Sequence, residues 1–208
     1  PFVSSGASSK INNDSKSIAI ACGSHSGSKL HSREAFKILW EYDIDINNLK
    51  CPKLKTSPLE HNCSGKHAAF LATCKKMNWP LDSYLKGDHP LQIEIFRIVS
   101  ELLEIPSSEI NAERDDCGAP TLYLKLLEMS RLYSLLSSSE NAELEQISRA
   151  MTINPIMISD NNKFDTEIIK ASHGNVIGKG GAEGIQCLCK VNEGIGLALK
   201  VEDGSKRA

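Results

Sequence analysis

A cysteine and a lysine three residues apart stand out within residues 62–69. A helix that begins near Ser64 would place Cys63 at its entry and Lys66 in its first turn, with both side chains on one side. The dipole and the free N–H groups of a helix N-terminus stabilise a thiolate. Lys66 would then be a charge partner, a base or an unusual metal ligand. A helix cap followed by a surface lysine explains the same residues equally well.

A second group of reactive side chains occupies residues 114–120. Two carboxylates, Asp115 and Asp116, and the thiol of Cys117 crowd a glycine–proline turn. Cys117 could join Cys63 at a metal, although two widely separated single cysteines are a weak zinc signal by themselves. The alternative interpretation is a solvated acidic turn.

Ser24 lies in the loop-like sequence Gly-Ser-His-Ser-Gly at residues 23–27. The loop follows an apolar run at residues 17–22, which predicts a buried strand. A serine at a strand end can be exposed to a substrate. The sequence is not a G-x-S-x-G elbow, because Gly23 directly precedes Ser24, and a plain loop is the alternative.

A glycine-rich run at residues 178–184 surrounds Lys179. It lacks the order of a phosphate-binding loop. It resembles the Lys-Thr-Gly-type element of serine β-lactamases and penicillin-binding proteins, in which a lysine acts near the active serine. A neutral lysine amine can be the base for a serine nucleophile. Two Ser-x-x-Lys sequences, which begin at Ser26 and Ser83, do not clearly open an apolar helix, and we interpret them as chance matches.

The elements that must hold these residues are helices in the middle of the chain and strands near both ends. The helix signals are Ser32 as an N-cap, residues 63–77, Pro90 as a first residue, Pro120 as a first residue with an end at 137–139, residues 143–151 and residues 164–171. Residues 184–189 and 196–201 predict a hairpin joined through 192–194. The pattern predicts an α+β fold, with an antiparallel sheet covered by helices.

Composition excludes several functional classes. The chain has 208 residues, a net charge of −2 and 40% hydrophobic residues. The near-neutral charge argues against nucleic acid or an anionic membrane as the main partner, and no apolar run approaches the ~18 residues of a membrane span. Seven cysteines at irregular spacing favour a reducing compartment over a disulfide framework.

Together the motifs resemble one family, the asparaginase II or rhizobial-type L-asparaginases. The matching segments are residues 21–27, 62–68, 88–92, 115–121, 179–184 and 199–204. Their order and approximate spacing fit across nearly the whole chain, and Cys-Ser-Gly-Lys-His at 63–67 is the most specific. We therefore expect one asparaginase II-like domain over residues 1–208.

The resemblance implies a fold like that of serine β-lactamases and glutaminases. It implies hydrolysis of L-asparagine to L-aspartate and ammonia, with a serine attacking the side-chain amide to form an acyl-enzyme. Ser24 and Lys179 would form the second of the family's two serine–lysine pairs. The resemblance also implies a homodimer. The cysteine usage leads us to expect a cytoplasmic protein, and the composition leads us to expect no nucleic-acid or membrane partner.

The resemblance further implies a metal, usually zinc, beside the substrate. Its ligands would be Cys63, Lys66 and Cys117, with water completing the shell. Asp115 would hold the substrate's α-amino group. His67 and Glu183 would support the substrate site.

Some family features fall outside the chain or differ within it. The family's first Ser-x-x-Lys, the expected source of the nucleophile, would lie upstream of residue 1, and its C-terminal helix would follow residue 208. Ala69 and Gly180 replace the more usual glycine and threonine. We therefore expect a fragment truncated at both ends. A related amidase or glutaminase, and a non-catalytic zinc-binding module, remain as alternatives.

Overall fold

The structure, a computed structural model, describes residues 24–54 and 56–205. Its contacts divide the chain into two compact units, Pro1–Tyr123 and Leu124–Ala208. A single asparaginase II-like domain over residues 1–208 stays a prediction. The strand predicted over residues 17–22 lies outside the described residues.

The described residues of the first unit form three helices and a small antiparallel sheet. The helices are α1 (Lys29–Glu41), α2 (Ser64–Met77) and α3 (Pro90–Leu103), and the strands are β1 (Ala112–Arg114) and β2 (Pro120–Leu122). Short 3₁₀ turns occupy Ile46–Asn48, Pro58–Glu60 and Ser107–Glu109. The structure confirms the helix predicted over residues 63–77 and the helix that opens at Pro90.

The core of this unit forms where α1 packs against α2. Both helices contribute side chains with no exposed surface, namely Ala35, Ile38 and Leu39 from α1 and Ala68, Leu71 and Ala72 from α2. Three of these six side chains are alanines, and small side chains let two helix backbones approach closely. The contact fixes the position of α2, which carries the first candidate group.

Helix α1 begins earlier than its sequence indicates. Ser32 was the predicted N-cap, but the helix begins at Lys29 and Ser28 precedes it. The Ser32 hydroxyl donates instead to the Leu59 carbonyl at 3.1 Å. The prediction was wrong because a partner distant in the sequence takes the side chain that a cap would use.

Pro120 begins a strand and not a helix. Arg114 pairs with Pro120 in the β1–β2 register, and the Asp115 N–H donates to the Ala119 carbonyl at 3.1 Å. The predicted helix begins later, at Leu126, and ends at Ser137. Proline has no N–H to donate to a neighbouring strand, but the first residue of a short strand does not need one. Pro120 therefore fits the start of a strand as well as the start of a helix.

The second unit packs four helices with a three-stranded antiparallel sheet. The helices are α4 (Leu126–Ser137), α5 (Ala142–Ile153), α6 (Pro155–Ile158) and α7 (Phe164–Ala171). The strands are β3 (Val176–Gly180), β4 (Ile185–Lys190) and β5 (Ile195–Lys200), in the order β3-β4-β5. Helix α4 packs on β4 and β5, and α7 packs on β3. The predicted helices over 143–151 and 164–171 and the terminal hairpin are confirmed.

Strand β3 was not predicted, because two glycines interrupt its apolar pattern. A Cβ at Gly178 would lie 2.8 Å from Ile168 Cγ2 of α7 and 3.1 Å from Leu188 Cδ2 of β4. Glycine therefore allows the close approach of α7 to the sheet. Lys179 lies within this strand and not just before one, as the sequence had indicated.

The helices and antiparallel sheets confirm the α+β class for the described residues. The serine β-lactamase-like fold stays a prediction. Within residues 24–54 and 56–205, no helix has both the length and the apolar content needed to cross a bilayer.

Gly196 offers a test of how closely α4 packs on β5. A Cβ at this position would lie 2.0 Å from the Ser130 carbonyl oxygen and 2.4 Å from the Ser134 nitrogen. We expect Gly196→Ala to lower the free energy of unfolding by about 1–3 kcal/mol, since backbone atoms cannot rotate away from the methyl group. Thermal unfolding measures the effect.

Gly87→Ala is the matched control, because a Cβ at Gly87 meets no atom within 4 Å. A melting temperature of Gly196→Ala equal to that of Gly87→Ala would contradict the packing described here.

Candidate active site

The first candidate group lies at the N-terminus of α2, as predicted. Cys63 is the residue before the helix, and its carbonyl accepts a hydrogen bond from the His67 N–H at 3.0 Å. His61 shapes the entry to the helix, because its Nδ1 accepts from the Cys63 N–H at 3.0 Å and its carbonyl accepts from the Ser64 N–H at 3.0 Å. Lys66 follows in the first turn.

The second candidate group lies in the turn between β1 and β2. Gly118 has a φ of +82°, a left-handed conformation that glycine adopts without strain, and its N–H donates to the Asp115 carbonyl at 2.9 Å. The Cys117 N–H donates to Asp115 Oδ1 at 2.8 Å. The turn therefore presents the carboxylate of Asp115 and the thiol of Cys117 together.

The structure brings the two groups into contact through an ion pair. Lys66 Nζ lies 3.4 Å from Asp115 Oδ2, and the two side chains are 29% and 30% exposed. The Thr121 hydroxyl donates to the same oxygen at 3.1 Å. The pair joins α2 to the β1–β2 turn and remains partly open to solvent.

Both members of this pair are held in their charged forms. Burial opposes the charge of Asp115, but hydrogen bonds from Cys117 and Thr121 and the charge of Lys66 hold its pKa below the usual value. Burial also opposes the charge of Lys66, but the interactions with Cys63, Cys117 and Asp115 outweigh it and raise the lysine pKa. The site therefore combines a cation and an anion near neutral pH.

Cys63 and Cys117 interact as a thiolate and a thiol. A hydrogen bond with Cys117 is the main reason that the pKa of Cys63 falls to about 7, with further help from Lys66 and Ser24. The same hydrogen bond, together with burial, raises the pKa of Cys117 well above its usual range. Near neutral pH, the negative charge of the pair therefore lies on Cys63.

Ser24 lies beside this thiolate. Asn62 Nδ2 donates to Ser24 Oγ at 3.0 Å, and the His25 N–H donates to the Asn62 carbonyl at 2.9 Å. Ser24 also hydrogen-bonds Cys63 and helps to lower the pKa of that thiol. The structure thus brings one member of the predicted serine–lysine pair next to the predicted metal ligands.

His67 lies below the site with no exposed surface. Its Nδ1 lies 2.6 Å from the hydroxyl oxygen of Tyr84, which also accepts from the Lys50 N–H at 2.9 Å. His67 Nε2 makes no hydrogen bond of good geometry, but its interaction with Cys117 lowers the pKa of that thiol. The ring is thus placed to support Cys117, and its burial separates it from a substrate in solvent.

The predicted metal ligands meet in this cluster. Lys66 hydrogen-bonds Cys117 and interacts electrostatically with Cys63, so two sulfur atoms and one nitrogen atom share one location. Within the described part of the chain, no three or more His, Cys, Asp or Glu side chains are grouped to hold a metal. The donor set therefore depends on a lysine, and it suits zinc chemically if Lys66 and the thiols give up their protons.

Lys179 belongs to the second unit and has an acidic partner there. Its Nζ lies 3.3 Å from Asp165 Oδ2 and donates to the Gly180 carbonyl at 2.6 Å. Glu183 is exposed, with a φ of 55°, in the turn between β3 and β4. It forms no hydrogen bond or ion pair with Lys179, and no contact among the described residues of the second unit ties it to a substrate.

The sequence model of the L-asparaginase II family matches residues 1–208. The chain belongs to the L-asparaginase II family. Family membership makes the protein an asparaginase-type hydrolase with a small-molecule substrate. No curated protein sequence matches the chain at a significant level.

Four side chains that contact the candidate residues, three in the first unit and one in the second, were not singled out from the sequence. They are Asn62, Tyr84, Thr121 and Asp165. Each acts on a group distant along the chain or across a turn; Tyr84, for example, contacts His67 from 17 positions away. Only Asn62 and Thr121 lie inside segments that match the family, so only their participation could have been inferred from the sequence.

The thiolate of Cys63 predicts selective alkylation. In protein stripped of metal by a chelator, we expect the rate of Cys63 carboxamidomethylation to rise with pH through about 7, because the thiolate is the reactive form. Cys51 is an internal comparison, since burial raises its pKa to about 11. Peptide mass spectrometry at a series of pH values measures both rates.

A Cys63 rate that begins to rise only near the ordinary thiol pKa of about 8.5 would contradict the proposed thiol–thiolate pair. In Cys117→Ala, we expect the Cys63 profile to move to higher pH, because the strongest hydrogen bond to the thiolate is removed.

Proposed function

We propose that this asparaginase II protein hydrolyses L-asparagine to L-aspartate and ammonia. The observation that carries the proposal is the meeting of Ser24, Cys63, Lys66 and Asp115 in a chain that matches the family over residues 1–208. A hydroxyl, a thiolate and an ion pair thus share one partly open location. This combination is unusual for a purely structural contact, because each group would cost free energy if it were left unpaired.

Asp115 is the proposed binding group for the substrate's α-ammonium. The carboxylate already binds one ammonium, that of Lys66, at 3.4 Å. It is held in its charged form and is oriented by the Cys117 N–H and the Thr121 hydroxyl. An amino acid substrate could therefore use a carboxylate that needs no rearrangement to accept a cation.

The proposed chemistry is acyl transfer through a serine. A serine oxygen forms a bond to the side-chain amide carbon, the C–N bond breaks, and the departing nitrogen leaves as ammonia after it receives a proton. Water then hydrolyses the ester and releases L-aspartate. Ser24 and Lys179 are the proposed catalytic serine and lysine.

The proposed metal ligands are Cys63, Lys66 and Cys117. A bound zinc would supply positive charge that orients the substrate beside Asp115. Deprotonated Lys66 would no longer pair with Asp115, which would leave this carboxylate free for the substrate's α-ammonium. The homodimer is a proposal that rests on the family resemblance, and the cytoplasmic location is a proposal that rests on the cysteine usage.

Replacement of the serine–lysine pair tests the proposed function. In the full-length protein, we expect Ser24→Ala and Lys179→Ala each to reduce kcat for ammonia release from L-asparagine by about 10²–10⁴-fold, the usual contribution of a group that moves or binds a reacting proton. Ser83→Ala is the matched control, because Ser83 opens one of the two chance Ser-x-x-Lys sequences.

The outcomes separate the alternatives. Normal turnover in both Ser24→Ala and Lys179→Ala would contradict the proposal. Faster ammonia release from L-glutamine than from L-asparagine would favour the related amidase or glutaminase. A full-length protein that binds zinc but releases no ammonia from either amide would favour the non-catalytic module.

A further inference from the structure

Asp165 lies in the first turn of α7 and is almost completely buried. Its side chain is 6% exposed. Oδ1 accepts from the Gly180 N–H at 2.9 Å and from Gln186 Nε2 at 3.1 Å, while Oδ2 lies 3.3 Å from Lys179 Nζ. Both carboxylate oxygens therefore have partners from the β3–β4 pair, and the only cation among them is Lys179.

The Lys179 side chain is also mostly buried, and its ammonium is held by hydrogen bonds. Its side chain is 13% exposed, and its Nζ donates to Asp165 Oδ2 and to the Gly180 carbonyl oxygen. An ammonium has three N–H donors. Two of them are directed at acceptors fixed by α7 and β3, so one direction remains for a further partner.

Gly180 lies beside this cluster. It pairs with Gln186 in the sheet register, so both residues approach the carboxylate from adjacent strands. A Cβ at Gly180 would lie 3.1 Å from Gln186 Oε1, a tight contact, and 3.6 Å from Asp165 Oδ1, an ordinary one. A small residue at position 180 therefore lets Gln186 reach the carboxylate without a shift.

This ion pair differs from the others on the same helix. Lys170 and Glu167 of α7 also lie 3.3 Å apart, but their side chains are 40% and 52% exposed. Solvent screens such a surface pair, whereas a buried carboxylate depends on its cationic partner. The buried Asp165–Lys179 pair therefore restrains the lysine side chain more strongly than an exposed ion pair would.

We infer that Asp165 is a positioning residue for the reaction, and that it holds Lys179 as an oriented ammonium. Lys179 then offers its one remaining N–H to the reacting groups as a hydrogen-bond donor, in place of the neutral base that the glycine-rich sequence suggested. The inference rests on the proposed function, since it takes Lys179 to act in catalysis.

A double-mutant cycle in the full-length protein tests this inference. Asp165→Asn retains an acceptor for the Gly180 N–H and removes the charge. We expect it to reduce kcat for ammonia release from L-asparagine by about 10–100-fold with KM changed less than about threefold, because the reaction and not substrate binding loses an oriented cation. In a Lys179→Met background, the same change should alter kcat by less than about twofold.

Two further variants complete the design. Glu167→Gln removes the exposed ion pair on the same helix and should leave kcat within about twofold of the unsubstituted protein. Lys179→Arg keeps the cation opposite Asp165 but cannot act as a neutral base, so it should retain at least about tenfold more activity than Lys179→Met. If Asp165→Asn fails to fold, the comparison of Lys179→Arg with Lys179→Met still tests whether Lys179 acts as a cation.

Several results would overturn the inference. An equal loss on Asp165→Asn with and without Lys179 would make the carboxylate a purely structural link between α7 and the sheet. Lys179→Arg as inactive as Lys179→Met would favour a neutral base. Full activity of Asp165→Asn beside an inactive Lys179→Met would refute the inference alone, whereas full activity of Lys179→Met would refute the proposed role of Lys179 as well.

Discussion

The ion pair between Lys66 and Asp115 is the interaction on which the first unit's site depends. It joins the first turn of α2 to the β1–β2 turn, and the same approach brings Cys63 against Cys117. A carboxylate and a thiolate at one location repel each other unless a cation lies beside them. Lys66 supplies that cation, and its charge helps to lower the pKa of Asp115 and of Cys63, while a hydrogen bond with Cys63 and burial raise the pKa of Cys117.

In the second unit, a carboxylate likewise holds a lysine in place. Lys179 is held by Asp165 and by the Gly180 carbonyl, within a cluster that is more deeply buried than the first. In both units an amine from a segment with a family motif is oriented by a carboxylate. The two carboxylates differ in accessibility: Asp115 is partly open to solvent beside Lys66, whereas Asp165 is enclosed and is bound to its lysine and two neutral donors.

The sequence predicted the candidate residues better than it predicted their partners. Cys63 and Lys66 could be placed because helix periodicity relates residues three positions apart. The contact of Lys66 with Asp115 spans 49 positions, and local patterns carry no information about such distances. The Asp165–Lys179 contact spans 14 positions and depends on how α7 packs on β3.

The errors in secondary structure have the same origin. Pro120 fits the start of a helix and the start of a short strand, and pairing with Arg114 decided between them. Strand β3 was missed because its glycines fit a loop, although tight packing against Ile168 requires one of them. Helices α2, α3, α5 and α7 and the terminal hairpin were predictable, since periodicity or turn residues alone define them.

We propose that Cys63, Lys66 and Cys117 form one metal site beside Ser24 and Asp115. X-ray absorption at the zinc edge, on full-length protein loaded with one equivalent of zinc, tests it most directly. The account predicts two sulfur ligands at about 2.3 Å with lighter ligands at about 2.0–2.1 Å, and one sulfur fewer in Cys63→Ser but not in Cys187→Ser. A zinc shell of nitrogen and oxygen alone, or one that Cys63→Ser leaves unchanged, would contradict it.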